Sequence, residues 1–259
     1  MRFARGSVIL VGAGPGDPDL ITVKGRDAIR SADVLVADRL VSPRLLDLAR
    51  PGAEVIDAGK ECGRDSMDQE AIHAILVDRA RRGLRVVRLK GGDPFIFGRG
   101  GEEWSALREA GIECQAIPGV SSAIGVPTAF GIPLTHRGVS RSVTIVTGHG
   151  RSGELPDLDL EALARAETLV ILMGRSTLRA LAEALMAAGR DPFTPAVCIE
   201  RGTTAQERSA EGTLLSIADA ADAAGLASPV ITVVGETVRL GLELRRALID
   251  GFQEAEVRI

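Results

Sequence analysis

The stretch Arg85–Glu103, RVVRLKGGDPFIFGRGGEE, decides the fold. Its apolar run Val86–Leu89 reads as a strand, and Gly91-Gly92-Asp93-Pro94 stops that strand abruptly. Each glycine costs roughly 0.5–1 kcal/mol of backbone entropy relative to alanine. A segment that returns to glycine at Gly98, Gly100 and Gly101, around Phe95, Phe97 and Arg99, therefore serves something other than stability.

The same pattern extends in both directions. Strands are expected at Ser7–Val11, Asp33–Ala37, Glu54–Asp57, Arg85–Leu89 and Glu113–Ile117, with helix-patterned segments between them. One of these, Gln69–Arg82, carries Ile72, Ile75 and Leu76 at helical spacing and ends at Gly83, a C-terminal cap. A second series follows Arg137–Arg141. Its strands fall at Val143–Thr147, Thr168–Met173, Ala196–Ile199 and Val230–Val234, and its helix Thr177–Ala188 has one stripe of Leu178, Leu181 and Leu185 before Gly189. The alternation predicts an α/β protein with a mostly parallel sheet in its first part. The expected division is an N-terminal α/β domain over 1–137 and a C-terminal one over 138–259.

The chain has 259 residues, 45% of them apolar, which is enough for a substantial core. Its 31 basic and 35 acidic residues give a formal charge of −4, so there is no global attraction to nucleic acid or an anionic membrane. Any anionic ligand must be held by a local basic cluster. Cys62, Cys114 and Cys198 are odd in number and far apart, which suggests neither a disulfide framework nor a paired-ligand zinc site. A reducing cytoplasm is the expected setting. No apolar window approaches the roughly 18 residues of a membrane span. His73, His136 and His149 lack metal-ligand spacing, and no metal is expected.

The segment Val8–Gly25, VILVGAGPGDPDLITVKG, places glycines directly after a strand. A dinucleotide-binding G-x-G-x-x-G would need glycine where Asp17 stands, and the Asp17 carboxylate would repel a pyrophosphate. "GAGPGD", "GGDP" and "PGVSSAIG" all follow predicted strands and so converge beyond the strands' carboxyl ends, where open α/β sheets hold ligands. A ligand with a positive centre and polar edges suits such loops.

"VGAGPGDPDLITVKG", "VLVADRLV", "AGK", "VVRLKGGDPFIFGRGGEE", "IPGVSSA" and "GIPLTHR", in this order, resemble the tetrapyrrole methylase family, over a stretch from about Ser7 to Val234. The resemblance implies two α/β domains with a ligand cleft between them, usually in a homodimer. It implies S-adenosyl-L-methionine as methyl donor, released as S-adenosyl-L-homocysteine. The implied reaction methylates uroporphyrinogen III at C2 and C7, giving precorrin-2 by way of precorrin-1 for sirohaem and cobalamin synthesis.

By motif, the resemblance places Pro15, Gly91, Gly92, Asp93, Ile96, Ser121 and Ser122 at the donor, with Met173 and Gly202 as the second domain's contribution. Asp38 corresponds to the family's proton acceptor and Lys60 to its proton donor, and Arg99 would stand beside the porphyrinogen. Methyl transfer from a sulfonium asks mainly for orientation, and the later loss of a macrocycle proton asks for a base such as Asp38. The substrate's many carboxylates would be met by a subset of Arg39, Lys60, Arg64, Arg88, Lys90, Arg99, Arg137 and Arg141. Two positions depart from the family's habit: Leu172, and Ala129–Phe130, stand where relatives often place tyrosine. A precorrin-4 C11-type methylase shares the opening block, and a non-catalytic tetrapyrrole-binding protein is the remaining alternative.

Overall fold

Val8, Ile9, Leu10 and Val11 expose nothing to solvent, and the strand they form, β1 (Ser7–Gly12), is flanked by other strands on both sides. The computed structural model describes residues 3–59, 68–150 and 154–256, with side chains described as far as Arg246. The chain divides into two compact units, Met1–Ser122 and Ala123–Ile259.

In the first unit β1 is joined by β2 (Val34–Ala37), β3 (Glu54–Asp57), β4 (Val86–Lys90) and β5 (Glu113–Ile117) in the order β3-β2-β4-β1-β5. Every pairing is parallel, as the alternation of strand and helix requires. Gly12 lies opposite Lys90 and Val11 opposite Ile117, which brings the carboxyl ends of three strands level. Alternate residues of β1 face opposite layers. Ile9 and Val11 pack with Ile29 of α1 (Val23–Ser31) and Leu45 of α2 (Pro43–Leu46), while Val8 and Leu10 pack with Leu76 of α3 (Gln69–Arg81) and Leu107 of α4 (Gly100–Glu109). Each of these buried aliphatic side chains contributes about 1.5–3 kcal/mol. Helix α3 opens on Asp68, whose carboxylate accepts from Ala71 N at 2.7 Å, and Gly83 follows its end at φ +77°.

Asp33 ties the entry of β2 to that of β4. Its carboxylate accepts from Arg85 N at 2.8 Å and from the Arg85 guanidinium at 3.0 Å on each oxygen, and Arg50 adds a further ion pair. The Arg85 hydrogen bonds hold its pKa well below the ordinary carboxylate range against the opposing effect of burial. A depressed folded-state pKa stabilises the fold above the unfolded value and loses that contribution as pH falls toward the folded one. Asp33→Asn is therefore expected to cost about 2 kcal/mol at neutral pH. The deficit relative to the parent protein, read from urea midpoints, should shrink steadily below about pH 4.

The second unit is a five-stranded sheet ordered β6-β7-β10-β8-β9, from β6 (Val143–Thr147), β7 (Thr168–Leu172), β8 (Pro195–Glu200), β9 (Arg208–Thr213) and β10 (Val230–Val234). Only β6 and β7 pair in parallel; the β7–β10, β10–β8 and β8–β9 pairs are antiparallel. Strand β9 was not anticipated. Its sequence, RSAEGT, offers one buried residue, Ala210, because an edge strand beside a hydrophobic neighbour needs little apolar surface of its own. Leu163 of α6 (Leu160–Ala164) and Leu178, Leu181 and Leu185 of α7 (Leu178–Ala187) join Leu169, Ile171 and Cys198 in one core layer.

The other layer of this unit accounts for the position of the break between units. Ala123 and Val126 of α5 (Ser122–Ala129), with Phe130 and Ile132, pack on Val170, Val197, Ile199 and Val233. The segment from Ala123 onward is thus core of the second unit, whereas the change in strand series placed the expected break after Arg137.

Candidate functional site

In the first unit three loops at the carboxyl ends of β1, β4 and β5 meet through glycine. Gly92 N donates to Gly14 O at 2.7 Å and Gly14 N to Gly92 O at 3.3 Å, with both residues in the left-handed region at φ +66° and +83°. A Cβ added to Gly12 would lie 2.4 Å from Gly119 N, and one added to Gly119 would lie 2.3 Å from Gly92 O. Backbone stacks on backbone here, and no side chain fits. Gly92 also lies against Ser121 and Ser122, whose nearest atoms would be 3.7 and 3.4 Å from an added Cβ. Pro15, Gly91, Gly92, Asp93, Ser121 and Ser122 are thereby brought to one edge of the sheet. On the other side of β4, Gly91 borders Leu40, 3.3 Å from where its Cβ would be.

Asp93 organises this edge. Its Oδ1 accepts from Phe95 N at 2.9 Å and its Oδ2 from Gly119 N at 3.1 Å, so one carboxylate ties the β4 loop to itself and to the β5 loop. Asp93→Ala removes both bonds and is expected to cost about 2 kcal/mol in a denaturant melt, with Asp93→Asn recovering part of it. Beyond it the chain wraps the Pro94 carbonyl, which accepts from Gly100 N at 3.0 Å, while Cβ atoms on Gly98 and Gly100 would come within 2.7 and 2.3 Å of that oxygen. This wrapping is why the segment returns to glycine. Phe97 and Arg99 pass through the left-handed region at φ +50° and +57°, a strain that concentrates at functional loops. Phe95, Ile96 and Phe97 are exposed, so neither phenylalanine is core; Phe95 rests on Trp104 with ring centroids 6.0 Å apart.

Asp38 follows β2, anchored by its own N–H to Leu89 O at 3.1 Å. Its carboxylate pairs with Arg88 and lies 3.9 Å from Lys90 Nζ. The side chains of Arg88 and Lys90 are 2% and 3% exposed, against 33% for Asp38. Burial, and then the neighbouring Arg88 charge, push the Lys90 ammonium's pKa down, with Glu103 and Asp38 acting against them. Arg88 and Lys90 therefore drop out of the cations from which a substrate-facing subset was expected: they are committed inside the protein. Arg99 heads α4, exposed, and forms a fork with Glu102 at 3.0 and 2.6 Å, and Arg141 pairs with Glu167. Arg39 and Arg137 are exposed. Lys60 and Arg64 lie outside the described residues.

In the second unit Met173 follows β7 and Gly202 follows β8, two strands that run in the same direction because each is antiparallel to β10. Both residues therefore stand at one sheet edge. Met173, Arg201 and Thr203 all adopt left-handed backbone there, at φ +55°, +46° and +67°. Met173 is exposed. Gly202 is buried with the position of its missing Cβ 2.2 Å from Val126 Cγ1, so packing on α5 already demands glycine. Leu172 is a buried strand residue and Phe130 a core residue beneath Arg245, whose guanidinium carbon lies 3.8 Å from the ring centroid.

Sequence reasoning missed Gly12 and Gly119, whose role is mutual contact across strands, and Glu103, which is buried against Arg88 and Lys90. A glutamate at a helix start ordinarily reads as a surface residue favoured by the helix dipole, and no local signal distinguishes Glu103 from Glu102. Among the described residues no group of three or more His, Cys, Asp or Glu side chains could hold a metal, and no helix is long and apolar enough to cross a membrane.

The family model for Tetrapyrrole (Corrin/Porphyrin) Methylases matches residues 7–218. A uroporphyrinogen-III C-methyltransferase of Methanocaldococcus jannaschii is 49% identical over 237 residues, covering 91% of this chain and 98% of that protein. A siroheme synthase of Chromobacterium violaceum is 47% identical over 240 residues, covering 92% of this chain but 51% of its own length; the chain spans about half the length of the siroheme synthases it matches. Among solved structures, a uroporphyrin-III C-methyl transferase from Thermus thermophilus complexed with S-adenyl homocysteine superimposes with a TM-score of 0.78 at 42% identity, covering 90% of this chain and 99% of that one. A cobalt precorrin-4 methyltransferase gives 0.82 at 29% identity, covering 92% and 98%. With the glycine-built loop edge and the Asp38 carboxylate in place, these likenesses mean that the chain belongs to the tetrapyrrole methylase family.

Proposed function

We propose that this protein transfers methyl groups from S-adenosyl-L-methionine to C2 and C7 of uroporphyrinogen III, giving precorrin-2 through precorrin-1. The observation that carries the reading is the 49% identity to a uroporphyrinogen-III C-methyltransferase across 98% of that enzyme's length. A homodimer in the cytoplasm is part of the same proposal.

The residues present fit the donor. Gly91 and Gly92 leave backbone uncovered by side chains at the end of β4, Asp93 holds that backbone in shape, and Ile96 and Phe97 offer exposed apolar surface beside it. Pro15, Gly91, Gly92, Asp93, Ile96, Ser121 and Ser122 would hold the donor, with Met173 and Gly202 from the second unit. When bound, the donor supplies a methyl group already activated by its positive sulfur. The protein's own task is then to orient the pyrrole carbon, exclude water and remove a proton from the macrocycle after the new carbon–carbon bond forms. We assign that last step to Asp38, a reading supported by its half-buried carboxylate and its pairing with Arg88 and Lys90. Arg99 and Lys60 are the groups we assign to the substrate side.

Anaerobic incubation with uroporphyrinogen III and the donor, followed by mass spectrometry, tests the proposal. Two added methyl groups are expected. The cobalt precorrin-4 methyltransferase likeness favours a second reading, in which a later precorrin is the substrate; donor binding without methylation of uroporphyrinogen III would select it.

A further inference from the structure

We propose that Glu103 is a positioning residue for Asp38, holding in place the two buried cations that orient its carboxylate; this rests on Asp38 acting as the base in the reaction proposed above. Glu103 sits in the first turn of α4, yet its side chain is 0% exposed. Its Oε1 accepts from three donors: Lys90 Nζ at 2.9 Å, Arg88 Nε at 3.0 Å and Gln69 Nε2 at 3.2 Å. Arg88 Nη1 donates to Leu89 O at 3.2 Å and Val36 O at 3.3 Å. A guanidinium is a rigid planar fork. Anchored at Nε and Nη1, it has one direction left for Nη2, and Nη2 meets Asp38 Oδ1. Lys90 Nζ bridges the same two carboxylates, 2.9 Å from Glu103 and 3.9 Å from Asp38.

Packing alone does not explain this arrangement. A buried ionic group is a poor route to stability compared with an apolar one of similar volume. Here the cost is compounded, because Glu103 Oε2 is buried and finds no hydrogen-bond partner among the described residues. The charges make sense as a setting for Asp38: Glu103 offsets one of two cations, and Asp38 receives the attraction of the remainder. Other groups that interact with the cluster are Gln69 on α3, with His73 3.0 Å behind it, Cys114 on β5, and Arg99 and Glu102 at the head of α4. Burial, and secondarily the Glu103 charge, push the Cys114 thiol up to about 12, so it stays neutral throughout the working range.

Glu103→Gln keeps the shape and removes the charge. The Arg88 fork then loses its charged anchor at Nε, and Asp38 the fixed direction of its partner. A loosened fork should lower kcat about tenfold to a hundredfold, with affinity for S-adenosyl-L-homocysteine within about twofold of the parent protein. Glu103→Asp keeps the charge and loses the reach, so kcat should fall there too. In an Asp38→Asn background Glu103→Gln should cost no further kcat, because the residue acts through Asp38. A parental kcat in both variants overturns the proposal, as does a further kcat loss in the Asp38→Asn background, which assigns the effect to packing. If Glu103→Gln does not fold, Glu103→Asp decides: parental kcat overturns, and reduced kcat with unchanged donor-product affinity supports. Carbon-13 NMR of the Asp38 carboxyl at neutral pH without substrate separates this proposal from the assigned reaction. Inertness toward uroporphyrinogen III would remove that reaction, whereas the Asp38 carboxyl resonance would still move in Glu103→Gln if Glu103 sets its surroundings, and stay in place if it does not.

Discussion

Gly119→Ala is expected to remove most of the first unit's stability. The added Cβ would stand 2.3 Å from Gly92 O, 2.6 Å from Gly12 Cα and 2.7 Å from Gly12 C, all backbone atoms of neighbouring parallel strands or their loops. No rotamer relieves such a contact, so the sheet edge must open. Ordinary overpacking costs about 1–3 kcal/mol. A clash against fixed backbone belongs in the rare class above about 4 kcal/mol, a large share of the roughly 5–15 kcal/mol that holds a domain folded. Trp104, the single tryptophan, lies in α4 of this unit and reports its unfolding by fluorescence. The control is Gly101→Ala in the same helix, where an added Cβ meets nothing within 4 Å; that change should be neutral or stabilise by up to about 1 kcal/mol. A Gly119→Ala protein with a parental urea midpoint would mean that the three loops are not packed backbone to backbone.

Asp38→Asn carries the largest expected effect on turnover. Asparagine can still accept from Arg88 but cannot take a proton, so kcat should fall about a hundredfold to ten-thousandfold. Binding of S-adenosyl-L-homocysteine, measured by calorimetry, should remain near that of the parent protein, because the loops proposed to hold the donor follow other strands. Parental turnover would remove Asp38 from the proton step. The substitution also withdraws a charge from two buried cations, Arg88 and Lys90, which among the described residues keep only Glu103 as a carboxylate partner. A lowered melting temperature therefore accompanies the kinetic loss without explaining it, since a folded variant at assay temperature still lacks the proposed base.

The first sheet was legible in the sequence almost strand by strand. Val8–Val11 and Val34–Ala37 are continuous apolar runs, and Val86–Leu89 is broken by Arg88 alone, because both faces of a central parallel strand are covered. The same holds for α3 and α7, whose stripes and terminal glycines are local signals. Strand β9 was not legible, since an edge strand of RSAEGT takes its place from the hydrogen bonds of β8 and has no apolar pattern of its own. The break between units was displaced for a related reason: Ala123, Val126 and Phe130 look like a continuation of the first series, and only packing on Val170 and Ile199 assigns them to the second.

At the site, the sequence by itself determined which loops would meet. Glycine runs directly after parallel strands can go nowhere but the carboxyl edge, and the block from Arg85 to Glu103 is specific enough to name a family. Tertiary structure alone decided what the charged residues do. Arg88 and Lys90 read as cations available to an anionic substrate, and Glu103 as a solvated helix-start acid, because sequence records charge but not depth. Burial reverses both meanings: away from water a charge must find its partner within the protein, and that requirement gathers Arg88, Lys90, Glu103 and Asp38 into one cluster from three separate elements.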